Sequence, residues 1–98
     1  MATTGGSSIR MPTDAVLRHA VKHSLGCEKP VMMDYWTKSV NKDIFIGVRA
    51  TGEKLLVKNT EEYTSPIAKI FKVETEYIIE TENSLYLVCA SIGSKRIS

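Results

Sequence analysis

Near Pro30 the spacing of apolar residues changes from about four to two, and it does not change back. One helix followed only by strands is therefore the arrangement that the chain can adopt. Before the change, Pro12-Thr13-Asp14 supplies a helix start. Thr13 is the expected N-cap, and Asp14 places a negative charge in the first turn, where the helix dipole favours it. Leu17, Val21 and Leu25 recur every fourth residue, widened by Val16 and Ala20, and predict a buried stripe. Gly26 is placed as the C′ residue, so the helix is expected over about 14–25.

After Pro30, six short strands are expected: Val31–Thr37, Asp43–Ala50, Lys54–Lys58, Ile67–Val73, Glu76–Thr81 and Ser84–Ile92. Thr51-Gly52 reads as a two-residue turn that sets Val48 opposite Leu55 and Ile46 opposite Val57. Asn59–Pro66 reads as a polar loop. Turns at Glu74-Thr75 and Glu82-Asn83 set Phe71 opposite Ile78, Lys69 opposite Glu80, Ile78 opposite Leu87 and Tyr77 opposite Val88. Leu85–Ala90 is almost unbroken apolar sequence. A strand with one wet face alternates, so this one is expected to be covered on both faces, with the helix on one of them. The fold class is α+β: an N-terminal helix packed on a bent antiparallel meander of about six strands, small-barrel-like. Residues 1–10, rich in Gly, Ser and Thr, are expected to be a disordered tail, and 11–98 a single domain.

At 98 residues the core is small, and no apolar run approaches the ~20 residues of a membrane-spanning helix. Residues 1–58 carry nine Lys/Arg against five Asp/Glu, and residues 59–94 carry two against six. The basic half of one copy could therefore meet the acidic half of another. The two cysteines, Cys27 and Cys89, have no hydrophobic leader before them and no Asn-x-Ser/Thr acceptor beside them. They are expected as free thiols of an intracellular protein, with Cys89 in the core.

The chain lacks a glycine-rich phosphate loop, a dinucleotide fingerprint, Cys-x-x-Cys and His-Glu-x-x-His. His19 and His23 have the i,i+4 spacing that can bring two imidazoles to one metal, but the sequence nominates no third ligand. Cys27 near His23 lacks a nominated orienting group and oxyanion hole for nucleophilic catalysis. No catalytic residue, metal ligand or cofactor is assigned. The candidate interaction surface is Tyr35, Trp36, Lys38, Lys42, Arg49 and Lys54. Adjacent on a strand, Tyr35 and Trp36 would point to opposite faces. Trp36 then either covers the core or, among these basic groups, stacks on a base or anchors a protein.

Met33-Asp34-Tyr35-Trp36, Ile46-Gly47-Val48-Arg49, Glu62–Ile67, Glu76–Ile79 and Thr81–Ser84 give residues 13–98 a resemblance to small uncharacterised proteins of the large nucleocytoplasmic double-stranded DNA viruses. The resemblance implies a viral origin, in host cytoplasm or virion, and no chemistry. The helix-and-meander order also resembles Sm-like small barrels, but their Arg-Gly signature is missing. The expected function is a non-enzymatic interaction module that binds a protein or assembles with itself, a viral structural protein being one form of it. The alternative is a small-barrel nucleic-acid binder.

Overall fold

The computed structural model describes residues 11–97, so the N-terminal segment read as a tail lies outside the described residues. Helix α1 runs from Asp14 to Cys27. Thr13 caps it in extended conformation, its Oγ1 accepting from Val16 N at 3.3 Å. The helix passes the expected stop at Gly26 and ends at Glu28, which takes the left-handed conformation (φ 59°) with its N–H on Ser24 O.

Eight short strands follow: β1 (Val31–Met32), β2 (Phe45–Val48), β3 (Lys54–Asn59), β4 (Glu62–Tyr63), β5 (Ile67–Val73), β6 (Glu76–Thr81), β7 (Leu85–Cys89) and β8 (Gly93–Arg96). They form two four-stranded sheets, ordered β1-β7-β6-β5 and β4-β3-β2-β8. The β1–β7 and β2–β8 pairs are parallel and the others antiparallel. The fold is α+β as expected. It is neither a pure meander nor a barrel: the sheets are separate layers. α1 covers one face of the first sheet, and the second sheet covers the other.

Two cores result. Val16, Ala20, Trp36, Ile78, Leu85, Leu87 and Cys89 fill the space under α1. Tyr35, Ile44, Ile46, Leu56, Ile79, Val88 and Ile92 fill the space between the sheets. β7 feeds both, so the Leu85–Ala90 run is covered on both sides as expected. The helical stripe is different. Val16 is fully buried, whereas Val21 is 55% and Leu25 78% exposed. Ala20 explains this: it is fully buried, and its small side chain lets the helix backbone approach the sheet closely.

The β5–β6 and β6–β7 registers hold as expected, including Phe71↔Ile78, Lys69↔Glu80, Ile78↔Leu87 and Tyr77↔Val88. The β2–β3 register does not. Val48 pairs with Lys54 and Ile46 with Leu56, because residues 49–53 make a longer connection than a two-residue turn. Arg49 N bonds Glu53 O, and Gly52 takes φ 94° within it. The expected polar loop contains β4, which pairs with β3 across a bulge. Val31–Thr37 also departs from the expected strand. Only Val31 and Met32 pair, and Trp36–Val40 forms the short helix α2. Ser39 fixes α2 from within: its Oγ donates to Trp36 O at 2.6 Å and accepts from Cys89 N at 2.9 Å.

Candidate functional site

The helical turn of α2 changes what the nominated surface can do. Tyr35 and Trp36 are 6% and 2% exposed, each in a different core. Neither ring can stack on a base from solvent. Tyr35 meets Tyr86 edge-on at 5.3 Å, with Lys58 Nζ 4.5 Å above its ring. Burial chiefly, then nearby Tyr86, Glu62 and Asp34, pushes its phenol up to about 12. Lys38, Lys42, Arg49 and Lys54 are exposed. The basic half of the nominated surface thus stands without its aromatic half.

Three other features carry more structure. The first is the outer ridge of α1, the exposed Val21 and Leu25 with the half-buried Leu17 at its inner edge, flanked by Arg18 and Lys22. Its period is what the sequence showed; its direction is what the sequence hid.

The second is a groove of about 510 Å³ on the outer face of the second sheet. Phe45, Leu55, Val57, Tyr63 and Ile97 give it apolar walls, and Arg49, Asn59 and Thr60 edge it. Gly47 makes the groove's shape possible. A Cβ there would lie 2.8 Å from Ile97 Cδ1 and 2.9 Å from Val57 Cγ2, so only glycine lets Ile97 seat on β2. Tyr63 remains 52% exposed at the wall. The exposed Glu61 follows Asn59 and Thr60 in the same turn.

The third lies under the other flank of α1. The Glu80 carboxylate on β6 is buried and bound on both oxygens. Oε1 is 2.8 Å from His23 Nε2, and Oε2 accepts from Lys29 Nζ at 2.6 Å. Lys29 also donates to Thr81 O at 2.9 Å. These bonds, Lys29 first and His23 second, hold the Glu80 carboxyl below its usual value despite burial. The His23 ring meets Phe71 edge-on at 4.9 Å. One turn on, Cys27 brings its Sγ into the group, and the potential ligand atoms of His23, Cys27 and Glu80 all lie within 4.8 Å of one another. His19 lines the adjacent cavity with His23 and Cys27 but is not part of this trio. Glu80 could not have been found from spacing, because strand pairing delivers it from 57 residues away.

At the far end of α1, Glu76 plays the matching part. Its buried Oε1 accepts from Thr13 Oγ1 at 2.8 Å, and Thr75 Oγ1 bonds its Oε2. No helix among the described residues is long and apolar enough to cross a membrane. Comparison with protein-family profiles, with curated proteins and with solved structures finds no match for this chain.

Proposed function

We propose that this protein is a non-enzymatic interaction module that assembles with copies of itself, with α1 as its docking ridge. The observation that carries this reading is the direction of Val21 and Leu25, which stand exposed while Leu17, half-buried, packs partly against the core. The helix leaves two of the three residues of its most regular apolar row on solvent, and exposed apolar side chains grouped in this way mark a contact surface.

Charge favours a head-to-tail contact over a two-fold one. A pairing of two α1 helices centred on Val21 would oppose Asp14 to Glu28 of the second copy, and one Arg18/Lys22 flank to the other. The groove of the second sheet is the better receptor. It offers apolar walls to the ridge, with Glu61 beside the Asn59–Thr60 edge for the basic flank and the like-charged Arg49 at another part of the edge. Such a contact is heterologous, so copies would add in rings or open rows. The sequence resembles small uncharacterised viral proteins, and a viral structural component would use an assembly of this kind.

Light scattering at high micromolar concentration and low salt tests the reading. The mass is expected to rise with concentration above the 10.9 kDa of one chain. Leu25→Glu breaks the ridge and Tyr63→Glu breaks the groove, so each variant alone should stay monomeric. Mixed, they should form a 1:1 pair through the surface that each retains. A strict monomer at every concentration overturns self-assembly, and two variants that still associate overturn these surfaces.

A further inference from the structure

We propose that His23, Cys27 and Glu80 form a binding site for a divalent metal ion of the zinc class, with a fourth coordination position open to the cavity beside α1. The inference does not rest on self-assembly, since the trio lies on the flank of α1 away from the Leu17–Val21–Leu25 ridge.

The donor set is one imidazole nitrogen, one thiolate sulfur and one carboxylate oxygen. Zinc accepts all three, at about 2.0–2.3 Å, and three protein ligands with one open position is its catalytic or exchangeable arrangement. Tetrahedral bonds of those lengths place ligand atoms roughly 3.3–3.7 Å apart. The trio needs only small movements to reach that. His23 Nε2 and Glu80 Oε1, now 2.8 Å apart, would separate slightly, and all three atoms already lie within 4.8 Å of one another. The metal takes the place of the hydrogen bond between His23 Nε2 and Glu80 Oε1, a neutral imidazole ligating through Nε2 and carrying its proton on Nδ1. The thiol proton passes to solvent as Cys27 ligates as a thiolate, so uptake releases a proton.

The surroundings are arranged as ligand supports. Lys29 already holds Glu80 Oε2, which leaves Oε1 as a single directed donor. Phe71 fixes the ring plane of His23 from the edge. His23 and Cys27 are one turn apart on a continuous helix, so their separation is set by helix geometry. Glu80 lies inside β6, between two paired strands. Such support normally governs affinity as much as the ligands themselves do. The cavity beside the two helical ligands, about 440 Å³, is lined by them with His19, Lys22 and Gly26. It has room for a water or a small anion as fourth ligand.

Cobalt(II) is the probe. Titrated into the reduced full-length chain at neutral pH, it should bind 1:1, with the visible bands of a tetrahedral ion and the near-ultraviolet thiolate-to-cobalt charge-transfer band. Zinc should displace it and raise the melting temperature. Cys27→Ser should abolish the charge-transfer band while the protein still melts cooperatively. His23→Ala should weaken cobalt binding by at least about tenfold. His19→Ala should leave stoichiometry and spectrum unchanged. Absence of the charge-transfer band in the parent protein overturns the site, as does a band that survives Cys27→Ser.

Discussion

The two faces of β6 and β7 bury equally apolar side chains, yet they are closed by different means. Between the sheets, Ile79 and Val88 meet Ile44, Ile46 and Leu56, and the chain crosses between the layers several times. Under α1 the contact is narrower. Val16 and Ala20 are the helix's fully buried apolar side chains, and two buried carboxylates of β6 tie down its ends. Glu76 takes Thr13 at the start, and Glu80 takes His23 and Lys29 at the finish. One layer is attached by area, the other by area plus charge. The helix is therefore the part of this molecule whose attachment depends most on charge, and so on pH.

The largest expected effect falls on the strand that serves both faces. Leu87 is fully buried on the helix side of β7. Leu87→Ala should cost about 2–5 kcal/mol, a large share of the total for so small a domain. Chemical denaturation measures it. A loss below about 1 kcal/mol would mean that α1 does not close this face, and the comparison would collapse.

A smaller effect separates the layers by their chemistry. Glu80→Gln keeps the shape but removes the charge that Lys29 and His23 face, and should cost about 1–3 kcal/mol at pH 7. The pH dependence follows from the same bonds. The folded carboxyl lies below its ordinary value of 4.5, so above that value both states are ionised and the stabilisation is complete. As pH falls through 4.5 and then through the folded value, the unfolded chain takes the proton first, and the contribution disappears. Urea midpoints from pH 7 to pH 3 should fall more steeply for the parent than for Glu80→Gln. Parallel curves would show that the tie carries no titratable stability.

What the sequence made legible follows the same division. Between β5, β6 and β7 the registers are readable because short connections, residues 74–75 and 82–84, fix the pairing locally. The parallel partners β1–β7 and β2–β8 join segments about 50 residues apart, and no local pattern encodes them. α2 has the aromatic content of a strand; the buried Ser39, bonded to Trp36 and Cys89, is what holds it as a helix. Of the proposed metal trio, His23 was visible through its i,i+4 spacing. Cys27 was visible only as a thiol nearby, and Glu80 looked like a cross-strand partner for Lys69. Tertiary placement turned that carboxylate toward Lys29 and His23.

The finest test compares two valines on one helix. Val16 and Val21 are the same residue type in the same α1, 0% and 55% exposed. Val16→Ala removes about two buried methylene equivalents beneath the helix and leaves a small void, an expected cost of about 2 kcal/mol. Val21→Ala loses little burial and gains helix propensity, because alanine keeps no β-branch against the preceding turn. Its net effect in the monomer should lie within about 0.5 kcal/mol of zero. Measured at low concentration by urea denaturation, the two variants should therefore differ several-fold in cost. Equal costs would place Val21 in the core, and the outward ridge on which self-assembly depends would not exist. If instead Val21→Ala is silent in dilute solution but lowers the mass at high concentration, the same side chain is free in one copy and covered in the assembly.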